Sequence, residues 1–390
     1  MSEVTQKQIQ EKSPQQIDLR ASLLLILVLL GAGLLFIYRR GAFYPYVFGL
    51  FFGYIMQRSR FCFAAAFRDI FLIRNTMLTR ALLVALFLTT LGFSALHFSS
   101  HLDLAVAGRI YPVGLHTVLG GVLFGFGMTV AGACVSGSLV RMGEGNVMQY
   151  VTFLGLLCGS LLGAWHLNWI VPLTVAKAPT VFLPEQLGWM PALAIQLGIL
   201  VLLYLWAVRA EGTKQIFFIF QKNSAVMPYG RAAVYLALGN TLFLLFYGRP
   251  WGITTGITNI AGWAANKFGV SVHKWLYFQE NYRLADTGGA FLSQPLIFLV
   301  LAMLLGSMFA GLYHHEFRWR FPRTRRYYWA ALVGGICMGY GSRLAMGCNI
   351  GALLSGISSL SLHGWVFAIA LFPGAYLGGK VLIRYLLTAN

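Results

Sequence analysis

Long apolar runs alternate along this chain with short basic loops. Runs of about 18 or more mostly apolar residues occupy Ala21–Tyr38, Ala81–Phe98, Val147–Trp165, Pro191–Val208, Ala290–Tyr313 and Leu362–Leu386. Each is long enough to cross a hydrocarbon core of about 30 Å. With the shorter runs between them, the pattern predicts ten spans, near 21–38, 42–57, 81–98, 113–131, 147–166, 190–208, 231–247, 290–312, 328–346 and 362–386. Four stretches break the pattern: Arg60–Phe71, Cys134–Gly143, Trp251–Phe268 and Cys348–Ser358. Glycine or arginine makes them too short or too polar to span. Irregular backbone is tolerated at membrane depth only inside protein or beside a cavity, so these four are expected to be re-entrant half-helices.

Composition agrees. Only 10% of the 390 residues are charged, against roughly 25% in soluble domains, so a globule would lack the polar surface to cover itself. The net charge of +18 does not point to nucleic acid, because the basic residues sit in short loops between spans, as the positive-inside rule expects. The five cysteines, at 62, 134, 158, 337 and 348, form no metal spacing, and all fall in apolar or glycine-rich segments. Free buried thiols are expected rather than disulfides. The first 20 residues are polar and expected to be disordered. No small-residue cleavage site clearly follows Ala21–Tyr38, which therefore reads as a retained span. Nothing resembles a P-loop, a Ser-His-Asp order or an HExxH zinc site, and no cofactor is expected.

An internal duplication organises the chain. "GGVLFGFGMTVAGACVSGSL" (Gly120–Leu139) matches "GGICMGYGSRLAMGCNIGAL" (Gly334–Leu353) at 8 of 20 positions, at a constant offset of 214. Cys134 pairs with Cys348 and Gly137 with Gly351. Arginines follow the second span (Arg58, Arg60, Arg68, Arg74, Arg80) and precede the ninth (Arg318, Arg320, Arg323, Arg325, Arg326); Arg209, Lys214 and Lys222 follow the sixth. Placing these loops in the cytoplasm puts both termini there and makes the fourth and ninth spans run in opposite senses. Arg39 and Arg40 then fall outside, against the rule. The expected fold is an all-α polytopic membrane protein of about ten transmembrane helices and four short broken helices, with inverted-repeat pseudo-symmetry. Its expected parts are a polar N-terminus (1–20), an extra N-terminal helix (21–41), a first half (42–189), a linking helix and loop (190–230) and an inverted second half (231–390).

Inverted repeats often build a substrate site near the midplane from broken helices. Here Cys62, Cys134 and Cys348 each open or adjoin a predicted half-helix. A helix N-terminus offers unpaired N–H groups and roughly half a positive charge, which suits an anion. Arg58, Arg60 and Arg343 add full charges; an arginine within a span costs a few kcal/mol and is usually paired or functional. Arg343 has no basic mate in the first copy, where Thr129 stands. Arg58 and Arg60 read equally well as membrane-surface anchors. Neutral thiols are weak donors suited to a soft acceptor such as a sulfur-containing anion, and thiols in series can pass it on without holding it too tightly. Cys158 and Cys337 have no such symmetry and read as packing residues. His363 and Glu144, which border the half-helices, read as solvated edges. The candidate set is Cys62, Cys134, Cys348, Arg58, Arg60, Arg343 and Asn349.

The motifs "RSRFCFAAAFRD", "GGVLFGFGMTVAGACVSGS…RMGEG", "WGITTGITN" and "GGICMGYGSRLAMGCNIGALLSG…HGW" resemble those of the YeeE/YedE family of sulfur-compound transport proteins, over about residues 42–385. The resemblance implies a thiosulfate importer of the bacterial inner membrane, hourglass-shaped, with short helices reaching its centre. It implies that Cys62, Cys134 and Cys348 relay thiosulfate through S–H···S hydrogen bonds. It implies a TusA-like sulfurtransferase as cytoplasmic partner. A selenium compound or another small sulfur anion is the alternative substrate. A membrane sulfurtransferase that forms a cysteine persulfide is the alternative activity.

Overall fold

A computed structural model describes residues 19–99, 108–211, 220, 226–281, 294–322 and 324–387. The polar N-terminus up to residue 18, and Lys214, Lys222 and Arg323, lie outside the described residues. The long helices are α1 (Leu19–Tyr38), α2 (Arg40–Ser59), α4 (Met77–Phe98), α5 (Leu115–Val130), α7 (Val147–Ile170), α8 (Trp189–Glu211), α9 (Tyr229–Tyr247), α11 (Pro295–Tyr313), α12 (Arg325–Leu344) and α14 (Leu362–Val381). Among the shorter helices between them are α3 (Phe63–Leu72), α6 (Val135–Gly143), α10 (Thr254–Lys267) and the π-wound α13 (Asn349–Gly356). Each falls on a predicted break.

Eight described helical segments are long and apolar enough to cross a membrane by length and composition alone. The protein is therefore an all-α, multi-pass membrane protein. The other two long helices, α2 and α12, carry Arg58 and Arg325, Arg326 and Arg343 respectively. Arg325 and Arg326 are exposed at the start of α12, while Arg58 is half-buried against Glu316 and Arg343 is buried against Tyr277.

Glycine governs the packing. Lipid tails are as apolar as leucine, so helices in a membrane associate through close contact of small residues rather than by a hydrophobic drive. The two copies of the duplicated motif meet each other in this way. A Cβ on Gly120 would lie 2.5 Å from the Ala345 nitrogen, and one on Gly127 would lie 2.5 Å from the Gly334 carbonyl oxygen. Low numbers in α5 thus face high numbers in α12, so these two helices run antiparallel. By the same reading α7 and α12 run parallel, with Gly155 against Leu332 and Gly163 against Arg343. So do α2 and α11, with Gly49 against Leu299 and Gly53 against Met303.

The breaks share one local geometry. After α5 the chain turns at Gly132 (φ 75°), and after α12 it turns at Met346 (φ 51°), 214 residues later. After α2 and α9 it turns at Arg60 (φ 54°) and Gly248 (φ 77°). A left-handed residue ends each helix and turns the chain toward the next segment.

Ending a helix inside the protein frees carbonyls that need donors. Gln149 Nε2, from α7, donates to the Ala131 carbonyl at 3.1 Å. His363, from α14, does the same in the second copy, its Nε2 2.8 Å from the Ala345 carbonyl. Both pairs are related by the offset of 214. His363 is fully buried, which corrects its reading as a solvated edge: it closes a helix end. Glu144 is only half-buried. Arg80, expected in a loop, lies within α4, wholly buried, and pairs with Glu211 of α8 at 2.9 Å.

Candidate transport site

All three candidate cysteines stand at the N-cap of a short helix: Cys62 before α3, Cys134 before α6 and Cys348 before α13. All are buried, and none forms a disulfide. Cys158 is exposed on the surface of α7, and Cys337 is half-buried.

Cys62 and Cys134 form a pair. A Cβ built on Gly137 would lie 3.4 Å from Cys62 Sγ and 3.5 Å from Cys134 Sγ. The Gly137 amide donates to Cys134 Sγ at 3.4 Å, and Ser136 Oγ lies 3.2 Å from the same sulfur. Cys134 is therefore a helix cap with sulfur in the place usually taken by a serine or aspartate oxygen. Cys348 has no such contact at its own helix start. The residue beside it, Asn349, is buried and donates from Nδ2 to Met128 Sδ at 3.3 Å. This contact joins the start of α13 to the end of α5 that leads to Cys134. Asn349 Oδ1 has no hydrogen-bond partner among the described residues.

Cys348 stands beside a cavity of about 490 Å³. Met346, Gly347 and Gly351 line it from the Cys348 segment, Arg249, Pro250 and Gly252 from the loop after α9, and Gly108–Tyr111 from the stretch before α5. Three guanidinium-bearing residues line it: Arg109, Arg249 and Arg343. No described lining residue is acidic. Arg109 donates to Tyr111 Oη at 3.0 Å and to the Pro250 carbonyl at 3.2 Å. Arg343 is 5% exposed. Its Nη1 donates to Tyr277 Oη at 2.6 Å, and its guanidinium carbon lies 5.2 Å from the Tyr277 ring centroid. Its Nε has no partner among the described residues. The field shows in Tyr111: burial pushes its phenol up, but the charges of Arg109, Arg343 and Arg249 outweigh this and bring it below its ordinary value.

Arg58 and Arg60 lie elsewhere, at the far end of α2, and do not line this cavity. Glu316 receives Arg58 at 3.3 Å, lies 4.0 Å from Arg60, and accepts from Gln57 Nε2 at 2.7 Å. The candidate set thus divides into Cys348, Asn349 and Arg343 beside the cavity, the Cys62–Cys134 pair, and the Arg58–Arg60–Glu316 cluster. Sequence reasoning missed Arg109, Arg249 and Tyr277. A usable signal was present for Arg249, which directly precedes the "WGITTG" break. In the orientation expected from the sequence, Arg109 and Arg249 stand in outside loops, where the positive-inside rule disfavours them. Arg39 and Arg40 would break the same rule, but are exposed at the start of α2 and do not line the cavity.

A family model described as "Sulphur transport" matches residues 58–377. The chain belongs to this sulphur-transport family. A member called thiosulfate transporter TsuA, from Spirochaeta thermophila, is 30% identical over 364 residues, covering 86% of this chain and 97% of that protein. The Escherichia coli protein of the same name is 26% identical over 341 residues, covering 84% and 91%. A probable transporter called YedE, from Escherichia coli, is 34% identical over 149 residues, about two-fifths of each chain. As a member of this family the protein is a membrane transporter rather than an enzyme. Within the matched span lie all seven candidate residues, since the match begins at Arg58.

Proposed function

We propose that the protein imports thiosulfate across the bacterial inner membrane, with both termini in the cytoplasm. The cavity then opens outward, and the Arg58–Arg60–Glu316 cluster lies at the cytoplasmic mouth. The observation that carries the reading is the convergence of Arg109, Arg249 and Arg343 on a cavity with no carboxylate among its described lining residues, beside the Cys348 helix start. Of the three, Arg343 is buried, Arg109 half-buried and Arg249 exposed; a buried guanidinium such as Arg343 is costly, and a bound anion offsets that cost. The names of the two longest-matching relatives supply the substrate.

In this reading the two halves, 42–189 and 231–390, enclose one path. Arg343, held by Tyr277, and the amides at the start of α13 receive the anion. Cys348, then Cys134 and Cys62, offer S–H donors at successive positions. A thiol donates weakly and carries no charge to repel the anion. Arg58 and Arg60 draw it out, and Glu316 competes for them until it arrives. Moving a dianion into a negative cell costs about 4.6 kcal/mol per 100 mV, twice the single-charge figure. A TusA-like cytoplasmic sulfurtransferase that consumes the product drives the uptake.

Uptake of radiolabelled thiosulfate into proteoliposomes tests the reading. Internal label that remains intact thiosulfate, and is displaced by excess cold thiosulfate but not by sulfate, is the expected result. Empty vesicles, or sulfur left on protein cysteines in place of transported anion, would reject it.

A further inference from the structure

Gly137 and Gly351 are mates in the duplication, each the third residue after its cysteine. Each turns the bare side of its helix toward the segment that crosses it. At Gly137 a Cβ would meet the Cys62 thiol and the Ala133 methyl, each at 3.4 Å, with the Cys134 thiol at 3.5 Å. At Gly351 the nearest atom is Gly252 Cα, 4.0 Å from where a Cβ would stand, and nothing else lies within that distance. Gly351 and Gly252 both line the arginine cavity. The two crossings therefore have one plan and different contents: thiol against glycine in one, glycine against glycine in the other.

The packing glycines of α5 and α12 behave otherwise. At Gly120, Gly127, Gly334 and Gly341 a Cβ would strike backbone of the neighbouring helix at 2.5 to 2.7 Å. At Gly137 and Gly351 it would strike no neighbouring backbone closer than 3.4 Å. Close helix packing does not account for glycine at these two places. Strain does not either, since neither residue has a positive φ. Alanine is the better helix former, so local stability would favour it at both positions. Arg343, buried and with its Nε unpartnered among the described residues, lines the same cavity as Gly351 and offers a polar ligand a contact there.

We propose that Gly351 and Gly137 are the specificity-determining apertures of the path: Gly351 sets what leaves the cavity toward Cys348, and Gly137 sets what passes between Cys134 and Cys62. The inference rests on the proposed anion path. It assigns size selection to helix surface, not to the arginines, which attract any small anion. Compact sulfur oxyanions pass; S-substituted thiosulfates bind in the cavity and stop at Gly351.

Alanine substitution separates the two apertures. Gly351→Ala should lower thiosulfate uptake by at least about tenfold, and Gly137→Ala should do the same while leaving equilibrium binding of labelled thiosulfate within about twofold. Gly198→Ala, at a position with nothing within 4 Å, is the control and should change neither. Thermal melting should show all three folded. A second readout needs no substrate. In a Cys158→Ser/Cys337→Ser background, a small methanethiosulfonate should label Cys62 and Cys134 more slowly in Gly137→Ala, as followed by mass spectrometry. Folded alanine variants that match the parent in both uptake and labelling would overturn the apertures. Slowed labelling in a protein that never transports thiosulfate would uphold the apertures and reject the substrate instead.

Discussion

The Cys134 break and the Cys348 break are built alike and furnished differently. In both, a glycine-rich helix ends at an alanine whose carbonyl is closed from the following long helix, by Gln149 in one and His363 in the other. In both, a left-handed residue, Gly132 or Met346, makes the turn. Around Cys134 the space is filled by a second thiol and a serine hydroxyl. Beside Cys348, the neighbouring Met346, Gly347 and Gly351 border a cavity of about 490 Å³ lined by three arginines. Where the second copy has Arg343, the first has Thr129, whose hydroxyl is turned back onto the Gly125 carbonyl of its own helix. The shared part ends a helix at membrane depth, a problem both halves must solve. The divergent part makes the two halves unlike, one holding a thiol pair and the other an arginine-lined cavity.

The comparison breaks most severely at the thiols. A Cys134→Ser/Cys348→Ser double variant should fold and insert normally yet lose most thiosulfate uptake, because a hydroxyl is a harder and shorter donor. Cys158→Ser and Cys337→Ser should lose little. Near-normal uptake by the double variant in vesicles would return both cysteines to packing.

The next effect belongs to the charge asymmetry. Arg343→Gln should weaken thiosulfate binding by about tenfold, equivalent to about 1.4 kcal/mol, and raise the half-saturating concentration in uptake. Tyr277→Phe removes only the hydroxyl that receives Arg343 Nη1 and should weaken binding less. Equilibrium binding of labelled anion ranks the two. An equal or larger loss in Tyr277→Phe would mean that the tyrosine, not the arginine, meets the ligand.

The shared closures sharpen the likeness. His363→Gln copies the first half into the second and should hold thermal stability close to that of the parent. His363→Leu leaves the Ala345 carbonyl without this donor and should cost about 1–3 kcal/mol. A calorimetric or fluorescence melt distinguishes them; equal melts for glutamine and leucine would show that the hydrogen bond contributes nothing. The smallest effect is expected at the turns. Met346→Gly relieves a left-handed side chain, worth about 1–2 kcal/mol, but gives back about 0.5–1 kcal/mol in chain entropy. Its melting temperature should rise slightly or stay put, and a clear fall would mean that the methionine side chain packs usefully.

Much of this architecture was legible beforehand, and the reason is periodic. Apolar runs of span length report lipid directly, so the ten long helices lie where the runs predict them. Glycine or arginine interrupting the apolar pattern marked the four short helices, because such residues make a stretch too short or too polar to span. Arg343 was visible as a charge inside a span. Arg80 was not read correctly, because its partner Glu211 stands 131 residues away. His363 looked like an edge residue because nothing local reveals a carbonyl of another helix.

The sequence by itself determined the class, the places of the ten long helices, the four breaks and the duplication, since each is written in composition or in spacing along one segment. Tertiary structure decided which thiols meet, that Glu316 binds Arg58 and Arg60, and that Arg109 and Arg249 join Arg343 around one cavity. Those groups lie in segments about 70 to 260 residues apart. Their association depends on helix crossing points, and a crossing is fixed by glycine contacts on two helices at once. Neither helix carries that information alone.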